Sequence, residues 1–109
     1  MFRKKASKEA LIPVSYNTRI RLRIFRERNE GIVAFTSQLE HFLKGRWRPV
    51  IRYDNAHGFV HKDFYSIDGK QKRKEKIAVK NLKEAILIAD KDLRDNYEQY
   101  IVKFERDEL

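Results

Sequence analysis

The residues best suited to acid–base or ligand chemistry are concentrated between positions 52 and 63, where the chain reads Arg-Tyr-Asp-Asn-Ala-His-Gly-Phe-Val-His-Lys-Asp. This segment holds two of the three histidines of the protein, together with carboxylates and bases. Histidine exchanges protons near neutral pH, a neighbouring carboxylate tunes it, and Arg or Lys neutralises phosphate charge. The candidate catalytic residues are Arg52, Asp54, His57, His61 and Asp63.

Three interpretations of this cluster are open. In a metal-free ribonuclease, one histidine acts as general base on a ribose 2′-hydroxyl and another as general acid on the leaving oxygen. In a metal site, the spacing matches no established signature, and the acceptable ligands are His57, His61, Asp63 and Asp54. In a structural role, Asp54 forms an Asx turn, Gly58 takes a positive φ and the histidines are strand residues. Spacing alone favours the structural role, and we expect neither a metal nor another cofactor.

Residues 52–57, which follow an apolar strand and lead to His61 and Lys62, resemble the motif of small prokaryotic toxins of the TumE-like type. The similarity in sequence covers about residues 46–67. The order of elements around it, strands followed by a helix, is also similar. It implies an RNA-cleaving toxin that a partner antitoxin neutralises. The chain departs from the motif at Asp63, where a further histidine is expected, and in its shorter turn. The residues that match the motif are Arg52, Asp54, Asn55, His57 and His61.

Alternation of apolar and polar residues predicts the strands that position this cluster. The predicted strands are 18–26, 32–43, 47–53 and 59–67, with a short fifth strand at 77–79 and a Lys/Arg-rich hairpin loop at 70–76. Pro49 indicates an edge position or a bulge. We expect Trp47 and Ile51 to share one face of the third strand, and Arg52 or Ile51 to lie opposite His61.

From Asn81 the apolar residues recur three and four apart, which predicts one helix over residues 81–106. Asn81 and Glu84 have the spacing of a capping box. The fold class is therefore α+β: an antiparallel meander of four to five strands with one long C-terminal helix packed on one face. We expect a single domain over residues 1–109, in which residues 1–16 form a basic, partly mobile arm and residues 18–80 form the sheet.

Three arginines alternate with apolar residues on the first predicted strand: Arg19, Arg21 and Arg23. Alternate strand residues are about 6.6 Å apart on one face, close to the phosphate spacing of a single nucleic-acid strand. The alternative is a row of cross-strand pairs with Glu40 or Glu27. The strand has no aromatic residues on its polar side, which favours a face that holds phosphates over one that stacks bases.

The charge of the chain is uneven, because residues 1–80 carry a net charge of +12 and residues 81–109 a net charge of −3, which together give +9. A basic body of this kind indicates a polyanionic partner. The candidate nucleic-acid-binding residues are Arg19, Arg21, Arg23, Arg48, Lys62, Lys70, Lys72, Arg73 and Lys74.

The absence of cysteine excludes disulfides, thiolate metal sites and cysteine nucleophiles. The longest apolar run has five residues, so we expect a cytoplasmic protein without a membrane partner, and the charged composition leans towards that of a thermophile. The sequence predicts a toxin-like RNA-binding protein that acts as a metal-independent endoribonuclease. The alternatives are a non-enzymatic nucleic-acid-binding module and a protein-interaction domain, and a homodimer is compatible with each.

Overall fold

The computed structural model describes residues 6–56 and 58–109, which form an antiparallel sheet and a helix. The strands are neighbours in chain order throughout the sheet. This arrangement confirms the α+β class and the meander, but the sheet has six strands where four to five were predicted. The elements are β1 (Lys8–Ser15), β2 (Thr18–Glu27), β3 (Gly31–Leu43), β4 (Arg46–Asp54), β5 (His61–Tyr65), β6 (Gln71–Lys76) and α1 (Leu82–Glu105).

Strand β1 occupies most of the segment predicted as a mobile arm. It pairs with β2 from Lys8 opposite Ile24 to Ser15 opposite Thr18. Ile12 and Val14 pack against the core cluster, which gives the strand an apolar side. The prediction that residues 8–15 belong to a mobile arm is therefore wrong. The charged residues that precede this segment obscured a short alternation of apolar residues, which is the signal of a strand. Residues 1–5 lie outside the described residues.

Strand β6 consists of the residues predicted as a hairpin loop, and residues 77–79 do not form the predicted fifth strand. β6 pairs with β5 from His61 opposite Lys76 to Tyr65 opposite Gln71. Its side chains are almost all exposed and charged, so it lacks the apolar alternation by which strands are predicted. Lysine is common on edge strands because it discourages pairing with a further chain.

A bulge in β4 decides which side chains share a face. Leu39 pairs with Ile51 whereas Glu40 pairs with Pro49, so Val50 is an extra residue beside Pro49. One extra residue reverses the alternation of side chains. The predicted bulge is confirmed, but the prediction that Trp47 and Ile51 share a face is wrong.

Helix α1 packs on one face of the sheet, here called the helix face. The Asn81 side chain caps the helix, accepting a hydrogen bond from the Glu84 N–H at 2.8 Å. Glu84 bonds to the N–H of Lys80 rather than to that of Asn81, so the capping box is incomplete. In the described chain, α1 lacks the apolar length needed to span a membrane. The core between helix and sheet includes Ile20, Phe35, Leu39, Ile51, Phe64, Ala85, Ala89, Leu93 and Phe104.

A polar network attaches α1 to the helix face. Asp92 accepts hydrogen bonds from the hydroxyls of Tyr53 and Tyr100, at 2.6 and 2.7 Å, and from the amide of Asn96 at 2.8 Å. The Lys62 Nζ lies 3.0 Å from the same carboxylate. Burial by itself raises the pKa of Asp92, but these four donors outweigh it and hold the pKa below its usual value. The network therefore contains an ionised carboxylate with its donors satisfied.

Replacing Asp92 with Ala is expected to destabilise the protein by about 3 kcal/mol, because the Lys62 ammonium and two tyrosine hydroxyls lose their acceptor beneath the helix. Since the pKa of Asp92 is lowered on folding, its stabilisation is present above about pH 4 and is lost as the pH falls through the folded-state pKa. Urea unfolding should thus show a gap between parent and variant at pH 7 that narrows towards pH 3. The exposed Asp95→Ala should change stability by less than about 0.5 kcal/mol. Equal effects of the two variants would contradict this role.

Candidate nucleic-acid interface and histidine site

The sheet surface opposite α1, here called the open face, carries the arginine row of β2. The Nε–H of Arg19 and that of Arg21 donate to the two oxygens of Glu40, at 2.8 and 3.1 Å. The Nε–H of Arg23 donates to Glu9 on β1 at 2.8 Å. The three arginines therefore lie on the predicted side of the strand. Arg19 and Arg21 also form the cross-strand pairs with Glu40 that were the alternative interpretation.

Glu40 is the centre of this arrangement and is only 5% exposed. Its carboxylate also accepts a hydrogen bond from Gln38 at 2.6 Å, and Gln38 in turn accepts from the Nε–H of Arg52 at 2.9 Å. Burial raises the pKa of Glu40, yet the hydrogen bonds from Arg19, Gln38 and Arg21 hold it below its usual value. An ionised carboxylate therefore fixes side chains from β2, β3 and β4 in one network.

The arginines of this network are bonded at one end of the guanidinium. Arg19, Arg21, Arg23 and Arg52 each donate through Nε. Among residues 6–56 and 58–109, the structure gives no hydrogen bond to their terminal Nη groups. A guanidinium has five N–H donors and binds phosphate through two of them at once. The open face thus presents oriented guanidinium ends on β2 and β4.

The histidine site lies on the same face, at the junction of β4 and β5. Asp54 is directly opposite His61, and Arg52 is opposite Asp63, so the predicted alignment of Arg52 or Ile51 with His61 is wrong. The Nε2 atom of His61 lies 2.6 Å from Asp54 Oδ1, and its Nδ1 lies 3.2 Å from Asp63 Oδ1. The two acids therefore lie against opposite nitrogens of the ring.

The Asp54, His61 and Asp63 cluster is buried, and His61 is 2% exposed. The Phe59 ring lies against the imidazole, with 5.5 Å between ring centroids. Asp54 also accepts from the Ala56 N–H at 3.2 Å, which is the predicted Asx turn. Part of the structural interpretation is therefore confirmed. His57, the other predicted catalytic histidine, lies outside the described residues.

The turn between β4 and β5 is fixed to β3. The side-chain oxygen of Asn55 accepts from the Phe35 N–H at 3.1 Å, and its amide donates to the Val33 carbonyl at 3.2 Å. Gly58 has a φ of 82°, as predicted. These contacts determine where the chain re-enters the sheet and so set the pairing of Asp54 with His61.

A divalent cation is chemically compatible with this cluster. One ligand atom from each of Asp54, His61 and Asp63 can be chosen so that all lie within 4.8 Å of one another. One imidazole nitrogen and two carboxylate oxygens suit several divalent metals. The same atoms already form the close contacts between ring and acids, so a metal competes with proton-mediated pairing for them.

Two of the predicted RNA-binding bases belong to the helix face. Lys62 is buried there, and its ammonium is used by Asp92. The guanidinium of Arg73 lies over the Phe64 ring, 3.6 Å from its centroid, and pairs with Glu75. Both bases therefore lie on the helix side of the sheet and not beside the arginine row, because strand pairing fixes the side on which they lie.

The remaining predicted bases are scattered, and one of them, Lys74, lies on the open face. Lys74 is exposed and lies opposite Asp63, on the open face. Lys70 is exposed in the turn before β6, and Lys72 pairs with Asp107 at 3.0 Å. Arg48 donates to the carbonyls of Leu43 and Ile67, which is a structural use of its guanidinium.

Sequence reasoning missed two features of the open face. Trp47 is placed there by the bulge, beside Phe42, and the guanidinium of Arg19 lies over its ring. Lys76 is opposite His61 on β6, a strand that was not predicted. Pro49 indicated the bulge, but the sequence did not show which residue is the extra one. The face on which Trp47 lies could therefore not be predicted.

The chain matches the family described as "Domain of unknown function (DUF7718)" over residues 5–109, and it belongs to that family. No curated protein matches the chain. No solved structure matches it either.

Replacing Glu40 with Gln should lower the free energy of unfolding by about 2 kcal/mol, because Arg19 and Arg21 lose the charge between them. The penalty should be smaller when Arg21 is also changed to Gln, since one unpaired cation is then removed. Urea denaturation of the single and double variants measures this coupling. The exposed Glu30→Gln serves as the control, and additive effects of Glu40→Gln and Arg21→Gln would refute the network.

Proposed function

We propose that this protein binds single-stranded RNA along the open face and holds the phosphate backbone with Arg19, Arg21 and Arg23. The proposal is carried by the orientation of these side chains. Each is fixed through Nε, and within residues 6–56 and 58–109 its Nη groups form no hydrogen bond, which leaves them for a ligand. Strand geometry spaces them about 6.6 Å apart, which suits successive phosphates of an extended strand.

The charge of the surrounding surface supports the same proposal. Arg52 continues the row onto β4, and the exposed Lys74 and Lys76 lie further along the same face on β6. The buried carboxylates of the face are already paired with cations or with His61, which leaves the accessible cations to act on a polyanion. The resemblance to TumE-like toxins favours RNA as that polyanion and a prokaryotic cytoplasm as the setting.

RNA affinity should depend strongly on salt. A contribution of about 0.7 to the slope of log affinity against log salt is expected for each phosphate neutralised on a single strand. Changing Arg21 and Arg23 to Gln should make the slope shallower by roughly 1.4 and weaken binding for all sequences alike. Fluorescence anisotropy with labelled single-stranded RNA and DNA of the same sequence measures both effects.

The matched control for this experiment changes Arg94 and Lys91 to Gln, two exposed bases of α1 that are engaged in helix ion pairs. This variant carries the same charge change away from the open face and should keep the parent slope. A shared decrease in both variants would show that net charge, rather than the arginine row, attracts RNA. Salt-independent binding, or none at low salt, would overturn the proposal.

We propose endoribonuclease activity as a second function, favoured by the position of His61 between two carboxylates on the RNA-binding face. A base removes the 2′-hydroxyl proton, the 2′-oxygen bonds to phosphorus, and the bond to the 5′-oxygen breaks with transfer of a proton to that oxygen. The products are a 2′,3′-cyclic phosphate and a 5′-hydroxyl. We assign the proton donor to His61, phosphate binding to Arg52 and, from the TumE-like resemblance, the base to His57.

The geometry supports this assignment in two ways. Asp54 and Asp63 lie against the two ring nitrogens of His61 and fix the orientation of the imidazole. Arg52 stands across the strand pair from Asp63, which places a phosphate bound by Arg52 beside the histidine site. Because Phe59 covers the ring, the substrate must displace this side chain to reach His61. In the toxin interpretation, a partner antitoxin inhibits the protein by covering the open face.

RNA cleavage should continue in excess EDTA, because this mechanism requires no metal to activate water. His61→Ala should reduce the cleavage rate by about 100-fold or more while RNA affinity stays within a few-fold of the parent. Asp63→Asn should have a smaller effect, since it removes only one of the two carboxylates at the ring. Gel assays and anisotropy on the same preparations separate the rate from binding.

Three outcomes of this assay decide the function. Activity that EDTA abolishes and a divalent cation restores would assign Asp54, His61 and Asp63 as metal ligands instead. Unchanged cleavage by a folded His61→Ala variant would contradict the assignment of the proton donor. RNA binding without any cleavage by the parent would leave the non-enzymatic binding module as the function.

A further inference from the structure

An aromatic pair lies on the open face at the end of the β3–β4 hairpin. The bulge at Val50 turns Trp47 to this side, opposite Phe42, with 5.4 Å between ring centroids and an angle of 69° between the rings. Phe42 is 42% exposed. The turn between the two strands has positive φ at both Lys44 and Gly45, as in the tight turns that suit twisted hairpins. The pair is therefore built into a rigid part of the sheet.

The aromatic pair is continuous with the arginine row. The guanidinium carbon of Arg19 lies 3.9 Å from the centroid of the Trp47 ring, while the Nε–H of Arg19 is bonded to Glu40. Arg19 is thus held in contact with both the buried carboxylate and the aromatic ring. A ligand strand whose phosphates follow Arg21 and Arg19 is led directly to Trp47.

A cleft of about 240 Å³ is lined in part by Trp47. Its walls come from β4 and from the turn that follows β5, and Arg48 connects them by donating to the carbonyls of Leu43 and Ile67, both at 2.8 Å. The exposed Arg46 stands at the margin. The residues lining the cleft are Arg46, Trp47, Arg48, Pro49, Ile67, Asp68 and Gly69.

We infer that this cleft binds an unpaired nucleobase of single-stranded RNA by stacking on Trp47, beside the phosphates held by the arginine row. The inference rests on the proposed RNA-binding function and adds a base-stacking site to it. Single-stranded nucleic acids are bound by a basic track combined with aromatic side chains, because every base offers a π face. Arg19 and Arg46 supply positive charge near Trp47, and the Trp47 ring supplies the aromatic surface on which the base stacks.

Trp47 is the sole tryptophan of the chain, so its intrinsic fluorescence reports on this cleft alone. The probes are a decamer of oligoadenylate and inorganic polyphosphate of matched charge. The oligoadenylate should bind and quench the Trp47 emission in proportion to occupancy, because a stacked base lies against the indole. Polyphosphate should bind the arginines and compete with RNA but should leave most of the emission unchanged.

Substitutions test the same contact independently of fluorescence. Trp47→Ala should weaken oligoadenylate binding by about tenfold or more, with polyphosphate affinity within about twofold of the parent. Trp47→Phe should restore most of the RNA affinity, since a smaller aromatic ring still stacks. Tyr16→Ala is the control, because Tyr16 is an exposed aromatic residue in the β1–β2 turn rather than in the cleft.

The parent quenching experiment keeps the test decisive if Trp47→Ala does not fold. Anisotropy-detected RNA binding that leaves the Trp47 emission unchanged would overturn the stacking site while the proposed RNA-binding function stands. Equal loss of RNA and polyphosphate affinity in Trp47→Ala would also overturn it, by assigning Trp47 to the support of Arg19. A parent protein that binds neither probe would overturn the proposed function together with the inference.

Discussion

The pairing of β3 with β4 through the bulge at Val50 determines the composition of both faces of the sheet. On one side of the bulge, Ile51 and Tyr53 point to the helix, while Arg52 and Asp54 point to the open face. On the other side the alternation is reversed and Trp47 joins the open face. In a single-layer sheet each side chain faces either the helix or the opposite surface, so a change in the alternation moves side chains from one face to the other. The interface and the histidine site therefore depend on one inserted residue.

Each face of the sheet contains a buried or half-buried carboxylate that several hydrogen-bond donors stabilise. Glu40 on the open face and Asp92 on the helix each accept bonds from several donors, and the donors lower the pKa of each against the effect of burial. A buried charge without such partners is strongly unfavourable. The consequences differ, because Asp92 attaches the helix to the sheet whereas Glu40 fixes the arginines. Side chains that are already oriented lose less conformational entropy when a ligand binds.

The histidine site also combines buried carboxylates with a position on the open face. His61 is buried, and its two ring nitrogens lie close to a carboxylate of its own strand and to one of β4. Its place on the open face, across from Arg52, brings this ring to the surface proposed for RNA. The aromatic pair at the other end of that surface would position the chain that passes over it. Binding and chemistry are thus proposed for one continuous face.

The sequence by itself determined the strand order, the helix with its Asn81 cap, the alternation of arginines on β2 and the shared face of His61 and Asp63, because these depend on periodicities within single elements. It did not determine β1, where charged residues precede a short apolar side, or β6, whose charged side chains hide a strand that pairs with β5. It also did not place Asp54 opposite His61, Lys62 beneath the helix or Trp47 on the open face. Those positions follow from register, the bulge and the helix contact, and each is a relation between elements that a pattern within one element does not contain.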